Sequence, residues 1–285
     1  MADLDELFGE DKSTEPQSFD KEKWIKDKQE SRSTAFEMID NAASALTDVS
    51  KLNTFLDVQS KFDRYSVSNA LLVAEQKPDA TRLCDSKQWR KHNAIIKKGE
   101  KGITILEPGD KFTKGDGTPG VSYNTKKVFD ITQTTAKPKE YHKKPVDFKK
   151  LVKALIKTSP VPVNISESVP EGMNAFYSPE SKAILIRQGM EGNDIFRALS
   201  YEISMARADN GDFSREANAN KAYCVSYILC KRSGVEPQKA DSGFKPFDGS
   251  DTKTIRAKLG KIRDEANNIS SVIEKALEPK DKGAR

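Results

Sequence analysis

NDIFRALSYEISMARA, residues 193–208, sets the terms for reading the rest of the chain. Ile195, Leu199 and Ile203 recur one turn apart, and Tyr201 and Met205 widen the stripe, which predicts a largely buried helix. Asn193 or Asp194 suits its N-cap, because a short polar side chain accepts the unpaired amides of the first turn. At the centre lies Tyr201-Glu202-Ile203-Ser204-Met205. The metal-binding pattern His-Glu-x-x-His places two ligands one helical turn apart with a general base beside the first. This helix keeps the Glu and the spacing and has neither His.

Working outward, an exposed segment Asp209–Phe213 leads to a second helix at about Arg215–Arg232, with Gly234 at the C-cap position. Before the central helix, Asn174–Tyr177 and Ala183–Arg187 flank the turn SPESK and read as a hairpin. Val161–Ile165 is a short strand, and Val146–Lys157 a helix. A last helix, Thr252–Leu277, carries Ile255, Leu259, Ile262, Ala266, Ile269 and Ile273 in a packing stripe. Toward the N-terminus, residues 20–47 read as a helix with Trp24, Ile25, Phe36, Ile39, Ala43 and Leu46 on its apolar face. Ser50 caps a second helix, and Ser66–Gln76 makes a third, ended by Pro78. Ile103–Glu107 is a strand. Pro108–Gly120, with its glycines and prolines, reads as a loop, followed by strand-like Val121–Tyr123 and Lys127–Thr132.

The chain has 285 residues, enough for two domains, with 36% apolar and 32% charged residues and a net charge of +5. That surplus permits binding to nucleic acid without demanding it. No apolar run is long enough to span a membrane, and the acidic start lacks a signal-peptide core; a cytoplasmic protein is expected. Three Cys, an odd number and widely spaced, read as free thiols. Two His, His92 and His142, exclude a three-His metal site.

Positive charge gathers at Lys77–Lys101: Lys77, Arg82, Lys87, Arg90, Lys91, Lys97, Lys98 and Lys101, against Asp79, Asp85 and Glu100. Lys97–Gly102 is a basic turn whose Gly99 and Gly102 allow close backbone approach to a phosphate. Trp89 sits inside the run, suited either to a core or to a platform for bases. Basic side chains along a backbone, with aromatic rings for stacking, describe sequence-tolerant single-strand binding.

Two separated regions resemble one family, the ArdC-like antirestriction proteins carried by plasmids and conjugative elements. The first comprises FLDVQSKFDRYSVSNALLVAEQKPDATR from Phe55, then Trp89, IIKKGEKGITILEP from Ile95 and VFDITQT from Val128. Tyr65 and Asn69, beside Arg64, resemble the family's Tyr-x-x-x-Asn element. The resemblance implies a single-stranded DNA-binding domain here, with Arg64, Tyr65, Asn69, Arg82, Trp89, Arg90, Lys91, Lys97, Lys98 and Lys101 as candidate contacts. The second comprises FYSPESKAILIRQG from Phe176, IFRALSYEISMA from Ile195 and AYCVSYILCKRSG from Ala222. It is similar to a zincin-like metallopeptidase domain. By that resemblance the two metal-binding His positions fall on Tyr201 and Met205 and the catalytic Glu on Glu202. The third ligand falls on Tyr223, or on Asn220 if the register shifts.

A thioether, neutral Tyr hydroxyls and one carboxylate are a poor set for zinc. No cofactor or metal is therefore expected. Tyr201 and Met205 are expected to fill the former cavity. Glu202 then needs a partner or solvent, and Arg197 is on the wrong face to provide one.

The expected architecture is α+β in two domains. An acidic tail (1–19) precedes a helix-rich domain with a small sheet (20–136). A linker (137–145), a zincin-like helical domain with a β-hairpin (146–279) and a tail (280–285) follow. The expected function is single-stranded DNA binding for a mobile element, with a catalytically silent peptidase-like half, antirestriction as one form of it, and a host- or element-encoded protein as a further partner. The alternatives are a scaffold protein without DNA affinity and a metallopeptidase with unusual ligands.

Overall fold

The computed structural model describes residues 20–137, 147–241 and 243–278. The tails at 1–19 and 280–285 and nearly all of the linker fall outside them. The architecture is α+β. In the front half, α1 (Lys21–Ser44), α2 (Val49–Lys61) and α3 (Val67–Gln76) precede β1 (Leu83–Cys84), α4 (Ser86–Lys91), β2 (Ile103–Thr113) and β3 (Pro119–Asp130). The strands form an antiparallel sheet in the order β1-β3-β2. In the rear half, α5 (Phe148–Ile156) leads to β4 (Val163–Ile165), β5 (Ala175–Ser178) and β6 (Ala183–Ile186). Here the order is β4-β6-β5, with β4 parallel to β6. Helices α6 (Gly192–Ala208), α7 (Arg215–Ser233) and α8 (Thr252–Leu277) complete the chain.

The stripe read from the last helix is the buried face of α8, where Ile255, Leu259, Ile262, Ala266, Ile269 and Ile273 meet the core. Each large aliphatic side chain buried there contributes about 2 kcal/mol. One apolar core runs through both halves, from Ala35 to Ile273. Helix α2 packs on α7, and polar bonds pin the seam. Tyr223 donates to Asn53 Oδ1 at 2.8 Å and Tyr227 to Asp57 Oδ1 at 3.1 Å, while Arg232 Nε reaches the Ser60 carbonyl at 3.2 Å.

Several expectations need correction. Pro108–Gly120 is not a loop. Strands β2 and β3 form one long ribbon, with an irregularity between Pro108 and Lys111. The ribbon tolerates these residues because Pro119 opens a strand and the extra residues Gly109 and Asp110 sit at a bulge. Helix α6 starts at Gly192, so Glu191, rather than Asn193 or Asp194, holds the cap position. A Cβ on Gly192 would lie 2.6 Å from Phe148 Cβ, so glycine there lets α5 approach. Asp48, not Ser50, caps α2 by accepting the Ser50 and Lys51 amides at 2.7 and 3.2 Å. Ile39 and Ala43 on α1 and Leu46 in the turn just after it are buried, whereas Trp24, Ile25 and Phe36 on α1 are exposed. No described helix is long and apolar enough to cross a membrane.

Candidate functional site

The basic stretch is organised by one short turn, Ile131–Gln133, directly after β3. Asp130 is buried, and its carboxylate accepts the amides of Thr81, Arg82 and Thr132 at 2.7–3.0 Å and the Thr132 hydroxyl at 2.7 Å. Burial pushes its pKa up, but these donors outweigh burial and hold it below the usual carboxylate value. The turn then seats three cationic segments. Arg82 accepts the Ile131 amide through its carbonyl at 3.0 Å. Lys97 donates its amide to the Gln133 carbonyl at 3.0 Å and its ammonium to the Thr132 carbonyl at 2.8 Å. Gln133 Nε2 donates to the Lys101 carbonyl and to Glu100 Oε2, each at 2.9 Å. Arg82, Arg90, Lys91, Lys97, Lys98 and Lys101 are all exposed. None forms an ion pair among the described residues.

Two candidate contacts turn out to be structural. Trp89 is 1% exposed, packs with Ala94 and Ile131, and donates its indole N–H to the Phe129 carbonyl at 2.9 Å. It floors the basic turn and offers no face to a base. Asn69 works with Gln76, two helical turns further along α3. Asn69 exchanges a pair of 2.8 Å bonds with the Leu106 backbone, and Gln76 does the same for Thr104 at 2.8 and 2.9 Å. These amides cover the open edge of β2, which would otherwise present unpaired backbone groups. Tyr65 is half-buried and stacked on Phe62 at 5.3 Å, and its carbonyl lies 3.5 Å from Arg263 Nη1 of α8. Arg64 is exposed beside it.

In the rear half, Glu202 is 2% exposed and has a partner that the sequence did not indicate. Arg215, the first residue of α7, forks onto it: Nη1 to Oε1 at 3.1 Å and Nη2 to Oε2 at 2.7 Å. The Tyr177 amide of β5 adds a third bond to Oε2 at 2.8 Å. The guanidinium lies 4.7 Å over the Phe176 ring. Burial raises the Glu202 carboxyl to about 7, against the pull of Arg215 and the Tyr177 amide. Thirteen residues separate Arg215 from Glu202, across a segment with no motif, so no local signal linked them.

Met205 packs into the core as expected, but Tyr201 does not close the space above Glu202. A cleft of about 430 Å³ remains, with Tyr201, Glu202, Arg215 and Tyr223 on its wall. Met205 is wholly buried. Asp209, at the end of α6, accepts from the Tyr177 hydroxyl at 2.5 Å, Lys182 Nζ at 2.7 Å and the Gly211 amide at 2.9 Å. Lys182 and the other two donors lower its pKa to about 2.

Residues 24–153 match the N-terminal domain of anti-restriction factor ArdC. That front segment is ArdC-like. The fold of the chain is similar to the crystal structure of antirestriction ArdC protein from the R388 plasmid in metal-free form, with a TM-score of 0.51 and 16% identity over 74% of this chain and 85% of that one. The Mn(II)-bound structure of that protein gives a TM-score of 0.50 and 18% identity over 76% and 90% of the two chains. No curated protein matches significantly.

The Mn(II) in that neighbour poses a test for the rear cleft, and the donors here do not fit a divalent ion. Both Glu202 oxygens are engaged by donors from Arg215 and Tyr177. Burial pushes the Tyr201 hydroxyl up to about 12, so it stays protonated. Tyr223 donates its hydroxyl to Asn53, and Asn220, whose Oδ1 makes no hydrogen bond, is a single neutral oxygen that does not line the cleft. Among the described residues no group of three or more His, Cys, Asp or Glu is placed to hold a metal. The guanidinium itself supplies the positive charge beside Glu202.

Proposed function

We propose that this chain binds single-stranded DNA through its ArdC-like front half and acts in antirestriction for a mobile element, while its peptidase-like rear half is chemically silent. The observation that carries this reading is the set of six exposed cations, free of carboxylate partners, on segments gathered by the turn after β3. Such an arrangement neutralises successive phosphates and releases counterions, and it carries little sequence information. Gly99, at a φ of 88°, lets the Lys98–Gly99 turn close tightly and leaves nothing within 4 Å where a Cβ would project, so a strand can approach the backbone there. Similarity to an antirestriction protein supplies the biological setting.

The test is titration of a labelled single strand against the intact chain and a variant carrying Lys97→Ala, Lys98→Ala and Lys101→Ala. We expect the variant to bind at least about tenfold more weakly at low salt with an unchanged melting temperature. Equal affinity contradicts the reading.

The silent cleft has its own test. Dialysis against Mn(II) or Zn(II), followed by metal analysis, is expected to return no stoichiometric ion. One ion per chain, lost in Glu202→Gln, contradicts it.

A further inference from the structure

The single-strand reading needs exposed rings, and the basic turn has none, because Trp89 lies beneath it. The ribbon that rises from the same turn has two, Tyr123 and, 50% exposed on the opposite face, Phe112. At the near edge of the bulge, where it opposes Pro108, Tyr123 is 42% exposed and its side chain makes no hydrogen bond or ring contact among the described residues. Directly opposed residues of an antiparallel pair share a face, and residues two apart along a strand share one too. Lys111 opposes Val121, and Val121 lies two residues from Tyr123, so the three are on one side of the ribbon. Val121 is also 42% exposed, and Lys111 is exposed without an ion pair. Phe112 belongs to the other face, where its ring covers Gly120: a Cβ there would lie 2.7 Å from Phe112 Cζ.

Asp116 does not compete for charge on this face. It is folded into the tip turn, accepting the Thr118 amide at 2.9 Å and hydroxyl at 2.6 Å. Tyr123 stands seven residues along β3 from Asp130, about 24 Å at strand rise, within reach of a strand already held at the basic turn.

We propose that the distal β2–β3 ribbon is a base-stacking arm for single-stranded DNA, with Tyr123 as the stacking ring, Val121 extending its apolar surface and Lys111 holding the neighbouring phosphate. This rests on the DNA-binding reading above. Stacking on a ring is sequence-tolerant, since every base has a π-face, and it suits a protein whose phosphate contacts are equally unselective. The arm adds what the lysines lack: an attraction that survives salt.

The experiment titrates an oligothymidine against the intact chain, Tyr123→Ala, Tyr123→Phe and Phe112→Ala at two salt concentrations, with thermal melts of each. Tyr123→Ala is expected to weaken binding about 5- to 100-fold with an unchanged salt slope and melting temperature. Tyr123→Phe should retain affinity, and Phe112→Ala, on the reverse face, should bind as the intact chain does. Intact affinity in Tyr123→Ala overturns the arm alone, as does a loss confined to Phe112→Ala. Absence of any binding by the intact chain at low salt overturns both the arm and the DNA-binding reading.

Discussion

The two halves handle charge in opposite ways. In the front half, one buried acid, Asp130, spends its acceptor capacity on backbone amides and the Thr132 hydroxyl, and Arg82, Arg90, Lys91, Lys97, Lys98 and Lys101 stay at the surface without a carboxylate partner among the described residues. In the rear half, the buried acid of α6, Glu202, is gripped by its own arginine inside a cleft. Exposed unpaired charge is available to a polyanion at little desolvation cost. A buried fork-to-fork pair has satisfied itself, and taking either member away leaves the other stranded. The same residue types thus make a surface in one half and a clasp joining β5, α6 and α7 in the other.

The largest effect should come from Trp89→Ala, which removes the floor of the basic turn and costs about 3–5 kcal/mol of stability. Thermal or urea unfolding checks this. A variant that melts as the intact chain does but loses DNA affinity would make Trp89 a stacking ring and break the contrast.

Next is Arg215→Ala, which strands Glu202 and is expected to cost about 3 kcal/mol near neutral pH. The loss should shrink at about pH 5, where a carboxyl raised to about 7 is protonated in the fold, and grow as pH rises through 7. A pH-independent loss would show that Arg215 acts through packing on Phe176 alone. DNA affinity of the folded variant should not change.

The smallest effect concerns Asp209. Its pKa is lowered from 3.8 to about 2, so it stabilises the fold above the ordinary value, and that contribution is lost as pH falls through 2. Stability measured against Asp209→Asn should converge with the intact chain between about pH 4 and pH 2. A constant gap would mean that Lys182 and Tyr177 do not depend on the charge.

The helices were legible because their signals are local. The stripe from Ile255 to Ile273 and the stop at Gly234 both depend on near neighbours in the chain. The β2–β3 ribbon was not, because Pro108, Gly109, Pro119 and Gly120 carry turn signals that a bulge, a strand start and the Phe112 ring absorb in three dimensions. The cations of the basic turn were legible as charge. Their seating by Asp130 and Gln133 was not, since the bonds span roughly thirty to fifty residues. Trp89 and Asn69 show the same limit: a ring or an amide in a motif does not reveal whether it faces solvent or a backbone.

The central claim is that exposed charge in the front half, and not the rear cleft, holds the nucleic acid. The measurement that tests it most directly is the slope of log affinity against log salt for the intact chain, the Lys97/Lys98/Lys101 triple alanine variant and Arg215→Met. The account predicts a slope shallower by roughly 2 in the triple variant, about 0.7 for each lost single-strand phosphate contact, and an intact slope in Arg215→Met. An unchanged slope in the triple variant, or a reduced one in Arg215→Met, would contradict it.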